Sequence, residues 1–209
     1  MRVAIIGAAG RTGSLIASEA ARRGHEVTAF IRSEKETPAH HVVLKDAREI
    51  VAADLSSFDI VVNAVGIWEE NELDQHDEVT RALADAIEGT ATKLYIVGSA
   101  GSLLVDENKG EALWESAMMP APFKPLASAM AHAFDNLRSR DKVNWIYVSP
   151  PLDFQAEGER KGDYIVARDV FTTNDAGESA MTYADFAEAL VDIIEQDNLN
   201  QERISLLTR

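Results

Sequence analysis

An α/β fold, in which a doubly wound parallel sheet carries helices on both faces, is what the 209 residues predict. Three observations carry that expectation. Short apolar runs alternate with longer amphipathic stretches through the first 150 residues. The connections between successive apolar runs are too long for hairpins and suit crossovers between parallel strands. Gly7, Gly10 and Gly13 follow the first apolar run at once, where a strand would pass into a helix.

Residues 2–6 are apolar and rich in β-branched side chains, the pattern of a strand buried on both faces. Residues 11–23 read as a helix, with Leu15, Ile16 and Ala20 on one side, Arg22 and Arg23 in its last turn and Gly24 as its stop. Residues 26–31 ("EVTAFI") form a second strand and 41–44 a short third. A helical turn or two is expected over 47–53, and a fourth strand over 59–62 ("DIVV"). Val79, Leu83 and Ile87 lie four apart with Ala82 and Ala86 beside them, which makes 76–88 an amphipathic helix. Residues 93–97 ("KLYIV") are a fifth strand, 125–140 a helix and 143–148 ("VNWIYV") a sixth strand.

Past Pro150 the alternation breaks. Residues 151–180 hold Gly158, Gly162 and Gly177 and read as loops with short strands. A helix returns over 183–195, with Phe186, Ala187, Leu190, Val191 and Ile194 on one face, Thr182 as its N-cap and Asp185 in its first turn. Residues 203–207 are a last strand. The expected organisation is one domain over 1–209: a core of 1–150 and a small C-terminal lobe of 151–209 over one end of the sheet.

Composition narrows the function. With 46% hydrophobic residues, a chain of this length buries a core without covalent staples. The absence of cysteine excludes disulfides, iron–sulfur clusters, thiolate zinc sites and a cysteine nucleophile. No apolar run approaches the roughly 18 residues of a membrane span, and the first one ends at Ile6, too short for a signal peptide. A cytoplasmic protein is expected, without membrane partners. A net charge of −15 argues against a nucleic-acid surface. No metal site is expected: His40 and His41 are adjacent and face opposite ways on an extended segment, and His25, His76 and His132 lack ligand spacing.

The glycines point to chemistry. Gly7 allows a tight turn, Gly10 lets the backbone approach a pyrophosphate, and Gly13 lets helix and strand pack closely. The helix that follows presents free N–H groups to phosphate. A dinucleotide site is therefore expected at the first strand–helix turn. The end of the second strand reads Phe30-Ile31-Arg32-Ser33, with no acid before Glu34. Arg32 and Arg11 suit a 2′-phosphate, so NADP(H) is the preferred cofactor, with NAD(H) as the alternative. Trp68 and Trp114 either line the acceptor pocket or fill the core, with the core preferred, and Ser102 is assigned to a turn.

"GAAGRTG" at 7–13, "HEVTAFIR" at 25–32, "NAVG" at 63–66 and "VGSAGSL" at 97–103 resemble the atypical short-chain dehydrogenase/reductases. "YVSPPLDF" at 147–154, "GERKGDY" at 158–164 and "GESAMTYADFAEALVDIIE" at 177–195 narrow the resemblance to the NAD(P)H-binding, NADH-flavin-reductase-like branch, near biliverdin reductase B and NmrA-like proteins. The resemblance implies a Rossmann-like fold. It places Gly7, Gly10, Arg11, Thr12 and Gly13 at the pyrophosphate, Arg32 at the 2′-phosphate, and Asp46 and Ala47 at the adenine. Asn63, Ala64, Val65 and Gly66 fall beside the ribose. Ser149, Pro150 and Pro151 fall beside the nicotinamide. Ser99 takes the position of the active-site serine, with capping of the following turn as its other role.

One departure bears on the reaction. The wider superfamily uses a Tyr-x-x-x-Lys pair after the fifth strand, and this chain has Phe123-Lys124-Pro125-Leu126-Ala127 there, with no tyrosine between Tyr95 and Tyr147. The usual proton donor to an alkoxide is missing. The expected function is an NADPH-dependent oxidoreductase passing hydride to a flavin or similar planar conjugated acceptor, with flavin as substrate and not as a bound prosthetic group. Two alternatives stand beside it: a non-catalytic NADP-binding redox sensor of NmrA-like type, and an NAD-retaining epimerase or dehydratase. The expected partner is a small-molecule acceptor.

Overall fold

The computed structural model describes residues 1–108 and 110–209. Its elements run β1 (Arg2–Ile6), α1 (Arg11–Arg22), β2 (Glu26–Ile31), β3 (His41–Leu44), α2 (Ala52–Leu55), β4 (Ile60–Asn63), α3 (Gln75–Ile87), β5 (Lys93–Val97), α4 (Lys124–Arg138), β6 (Asn144–Ser149), β7 (Asp153–Gln155), β8 (Tyr164–Ala167), β9 (Ala180–Thr182), α5 (Tyr183–Gln196) and β10 (Glu202–Thr208). Eight strands form one sheet in the order β3-β2-β1-β4-β5-β6-β10-β8, and β7 pairs with β9 in a separate ribbon. Every pair in the large sheet is parallel except β10 with β8.

The apolar run of β1 has a use on each face. Val3 and Ile5 join the core under α1 and α5, while Ala4 and Ile6 join the core under α3 and α4. Period-two alternation then sends consecutive apolar residues to opposite layers, so a strand with helices on both sides has no polar face. α1 packs on α5, and α3 on α4. The predicted face of α5 is buried in full: Phe186, Ala187, Leu190, Val191 and Ile194. Thr182 caps it, its Oγ1 accepting from the Asp185 N–H at 3.0 Å. Gly24 ends α1 at φ +84°.

Three expectations are corrected. β4 is assigned from Ile60, one residue later than the apolar pattern suggested, although Asp59 N–H already donates to Arg2 O at 3.0 Å and its carboxylate accepts from the Arg2 N–H at 2.7 Å. The helical stretch over 47–53 is broken into a 3-10 turn, Ala47–Glu49, and the short α2. The C-terminal lobe is smaller than expected. β8, α5 and β10 belong to the large sheet and its helical layer, and outside them the lobe is the β7–β9 ribbon and the loops on either side of β8. Among the described residues no helix is long and apolar enough to cross a membrane.

Buried charge fastens α1 to α5. Glu19, 7% exposed, accepts from Arg22 Nε at 2.9 Å and from Arg23 Nε at 2.7 Å. Arg23 reaches on to Asp192 at 2.5 Å and Glu195 at 2.8 Å on α5. The Arg22 hydrogen bond, working against burial and joined by Arg23, pulls the Glu19 carboxyl down to about 2. A lowered carboxyl contributes stability that is full above its ordinary value of 4.5 and is lost as pH falls toward 2. Glu19→Gln is expected to cost about 1.5–3 kcal/mol at pH 7. That cost should shrink through this acid window when unfolding is followed by denaturant titration at several pH values.

Candidate functional site

The strand order reverses between β2 and β4, with β1 between them, and the crevice at such a point lies beyond the C-terminal strand ends. A cleft of about 750 Å³ opens there. Its floor is built by the turns after β1, β4, β5 and β6, and its rim by the start of α4, by 150–156 and by Tyr183.

The first turn is held by its glycines. Gly7 sits at φ +83°, and a Cβ on it would stand 2.9 Å from Ala64 O. A Cβ on Gly13 would overlap Gly7 O. Gly10 donates to Gly7 O at 2.9 Å and then caps α1 with no side chain. The first carbonyl taken inside the helix is Gly10 O, by Ser14 N–H at 2.9 Å. The N–H groups of Arg11, Thr12 and Gly13 therefore have no partner among the described residues, and Gly10, Arg11 and Thr12 line the cleft. This cradle fits a pyrophosphate: open N–H donors, no acidic residue in the first turn, and the positive end of the helix dipole.

The other expected residues divide. Ala64, Val65, Gly66, Ser99, Pro150 and Pro151 line the cleft with the cradle. Asn63 is buried beneath it, and its Oδ1 accepts from Val65 N–H at 3.1 Å, shaping the loop that carries Ala64–Gly66. Ser149 is fully buried behind Pro150, and its hydroxyl lacks a partner among the described residues. Arg32 is exposed at the end of β2 and stands outside the cleft wall. Of the two arginines expected at a 2′-phosphate, Arg11 is drawn elsewhere, its guanidinium lying 5.6 Å over the Tyr183 ring. Asp46 is engaged by Arg48, whose N–H and Nε donate to it at 2.9 and 3.0 Å. Those bonds hold its carboxyl below the usual range against partial burial, and Arg32 adds a weaker pull. Ala47 packs into the core with Phe30 and Ile50.

Ser99 is fixed from two sides. Its Oγ accepts from Gly101 N–H at 3.0 Å, capping the 3-10 turn Ala100–Ser102, and its N–H donates to Tyr147 Oη at 3.3 Å. The Tyr147 hydroxyl is buried among protein atoms, and burial pushes it up to about 12. Ser102 is buried as a turn residue, its Oγ accepting from Arg203 Nη1 at 3.1 Å.

Lys35, His76 and Tyr183 are among the cleft residues that the sequence reading did not place at the site, and Trp68 is one that it placed there only as the lesser alternative. Lys35 crosses the cradle, its Nζ donating to Ala9 O at 2.6 Å. Trp68, expected by preference in the core, is instead 60% exposed and walls the cleft beside Gly66. His76 is 7% exposed at the start of α3, with Nε2 3.1 Å from Ile67 O. Tyr183 brings a phenol to the cleft from the start of α5, its ring 4.2 Å from that of Phe154. Trp68 had one signal available, since it lies two residues past the glycine of the "NAVG" loop. The other three had none, because loop excursions and tertiary packing bring them in.

Fold and cleft together define a nucleotide-binding α/β protein of the atypical short-chain dehydrogenase/reductase class. Residues 7–197 match the NAD(P)H-binding family, and the chain belongs to that family. The YwnB protein of Bacillus subtilis, itself uncharacterized, is 36% identical over 211 residues, spanning 100% of this chain and 99% of its own. A crystal structure from Streptococcus pneumoniae, of a protein named as a candidate NADH-flavin reductase, superposes with a TM-score of 0.97 at 42% identity over 100% of both chains. One from Bacteroides thetaiotaomicron, named as a candidate epimerase, superposes with a TM-score of 0.85 at 26% identity over 99% of this chain and 96% of that one.

Proposed function

We propose that the protein is an NADPH-dependent reductase that delivers hydride to a flavin or a similar planar conjugated acceptor. The observation that carries this reading is one cleft lined by two unlike sets of residues. Gly10, Thr12, Arg11 and Lys35 bring N–H groups and cations to it, and Trp68, Met119, Phe123 and Met130 bring apolar surface.

When bound, the dinucleotide supplies a hydride from nicotinamide C4. The residues bind and orient. The cradle holds the pyrophosphate, Arg32 with Lys35 selects the 2′-phosphate, and Ala64–Gly66 lie along the ribose. Pro150 and Pro151 form a rigid floor for the nicotinamide. Trp68 and Phe123, 60% and 51% exposed, offer ring faces at the mouth for a planar acceptor to lie against. A flavin takes the hydride and its electron pair at N5, so no alkoxide forms and no side chain has to release a proton in that step. The site contributes proximity and exclusion of water.

Tyr183 favours a second reading, the epimerase-type chemistry of a carbonyl substrate, because a phenol at the cleft is a possible proton donor. Ser99→Ala and Tyr183→Phe separate the two. In flavin reduction each should lower kcat/KM less than about tenfold. An acid–base residue typically contributes about 10²–10⁴-fold, and a loss of that size with dinucleotide binding intact would favour carbonyl chemistry.

A further inference from the structure

One polar side chain in the lining of the cleft is in an unusual state. His76 Nε2 faces a carbonyl oxygen, Ile67 O, at 3.1 Å, and a carbonyl only accepts. The proton therefore sits on Nε2, and Nδ1 is left as a bare acceptor in the neutral ring. Burial of the ring disfavours the imidazolium, which keeps this arrangement at neutral pH. No donor among the described residues meets Nδ1. Nor is the atom sealed in protein, since the buried side-chain atoms without a partner there are Tyr95 Oη and Ser149 Oγ. A histidine that is 7% exposed thus keeps an open lone pair while lining the same cleft as Trp68, Met119 and Met130.

We infer that His76 is the specificity-determining residue for the acceptor, its Nδ1 accepting a hydrogen bond from an N–H at the edge of the bound planar ring. This deepens the reductase reading and rests on its assignment of the apolar lining to the acceptor. The isoalloxazine of a flavin carries such a group, the imide N3–H. A quinone presents only carbonyl oxygens at its polar edge, and these would meet the Nδ1 lone pair with like charge. The site should select flavin-type rings, and select them by their imide edge. No charged side chain other than Arg11 and Lys35 lines the cleft among the described residues, so the ring itself, and not a phosphate tail, is what His76 reads.

The test is equilibrium binding to the NADP⁺-loaded protein, where no hydride is available, read by quenching of flavin fluorescence. The probes are lumiflavin and 3-methyllumiflavin, which lacks the N3–H; menadione is measured by displacement of lumiflavin. The parent should bind lumiflavin about tenfold or more tightly than either. In His76→Leu the two flavins should bind alike, and His76→Gln, whose amide can donate to Ile67 O and still accept, should restore the preference. Equal binding of the two flavins by the parent would overturn the inference, as would a preference that persists in His76→Leu, or no binding of lumiflavin at all. A purely structural His76 would weaken both flavins by the same factor. Should His76→Leu fail to fold, the parent's ranking of the three probes and the His76→Gln result still decide. Turnover is scored separately. Lumiflavin bound with the expected preference but not reduced by NADPH would contradict the reductase reading and leave the role of His76 standing.

Discussion

Gly10→Val is expected to fold and to lose dinucleotide binding. Gly10 has an extended backbone, φ −76° and ψ 167°, which any residue adopts. A Cβ there would stand 3.2 Å from Gly7 O, a contact that a shift of a few tenths of an ångström relieves. The branch would then occupy the approach to the N–H groups of Arg11 and Thr12. Each charge-assisted hydrogen bond contributes about 1.5–3 kcal/mol, so losing two should weaken binding by about 100-fold or more. Calorimetric titration with NADPH, alongside a thermal melt to show the fold intact, checks this. The neighbouring position should behave differently: Gly13→Ala drives its Cβ into Gly7 O and should unseat α1 itself. If Gly10→Val binds NADPH as tightly as the parent, the dinucleotide lies elsewhere.

Arg32→Ala should weaken NADPH by about 10- to 150-fold and leave NADH nearly unchanged, since a charge-assisted contact to the 2′-phosphate contributes roughly 1.5–3 kcal/mol. Arg32 is exposed, so the lower end of that range applies at physiological salt and the loss should shrink as salt rises. Arg48 is occupied with Asp46 and does not substitute for it. Equal losses for the two cofactors would mean that Arg32 does not read the 2′-phosphate, and Lys35 would become the residue to replace.

The parallel sheet was legible because its signals are local. Apolar runs such as 2–6 and 93–97 mark their own ends, and Gly7–Gly13 mark the turn that the whole crevice depends on. The topology of the C-terminal third was not legible. Nothing in 202–208 says that the strand lies between β6 and β8 and not in a lobe, because that choice is made by α5 packing on α1 through Arg23, Asp192 and Glu195. The site divides along the same line. The cradle, Ala64–Gly66 and Pro150–Pro151 follow strands directly, so their place at the strand ends could be read in order. Lys35, His76 and Tyr183 reach the cleft from a loop and two helix starts. Tyr183 shows the consequence for chemistry: scanning the helix after the fifth strand for a tyrosine finds none, yet the fold supplies one from α5.

The central claim is that hydride leaves this cleft for a planar acceptor. The direct measurement mixes the purified protein with NADPH and lumiflavin without oxygen and follows the nicotinamide and flavin absorbance bands together. The account predicts that both fall mole for mole, catalytically in protein, and that the rate disappears in Gly10→Val. NADPH held at the cradle with neither band changing, whether flavin or quinone is offered, would contradict it and leave a protein that senses the dinucleotide without turning it over.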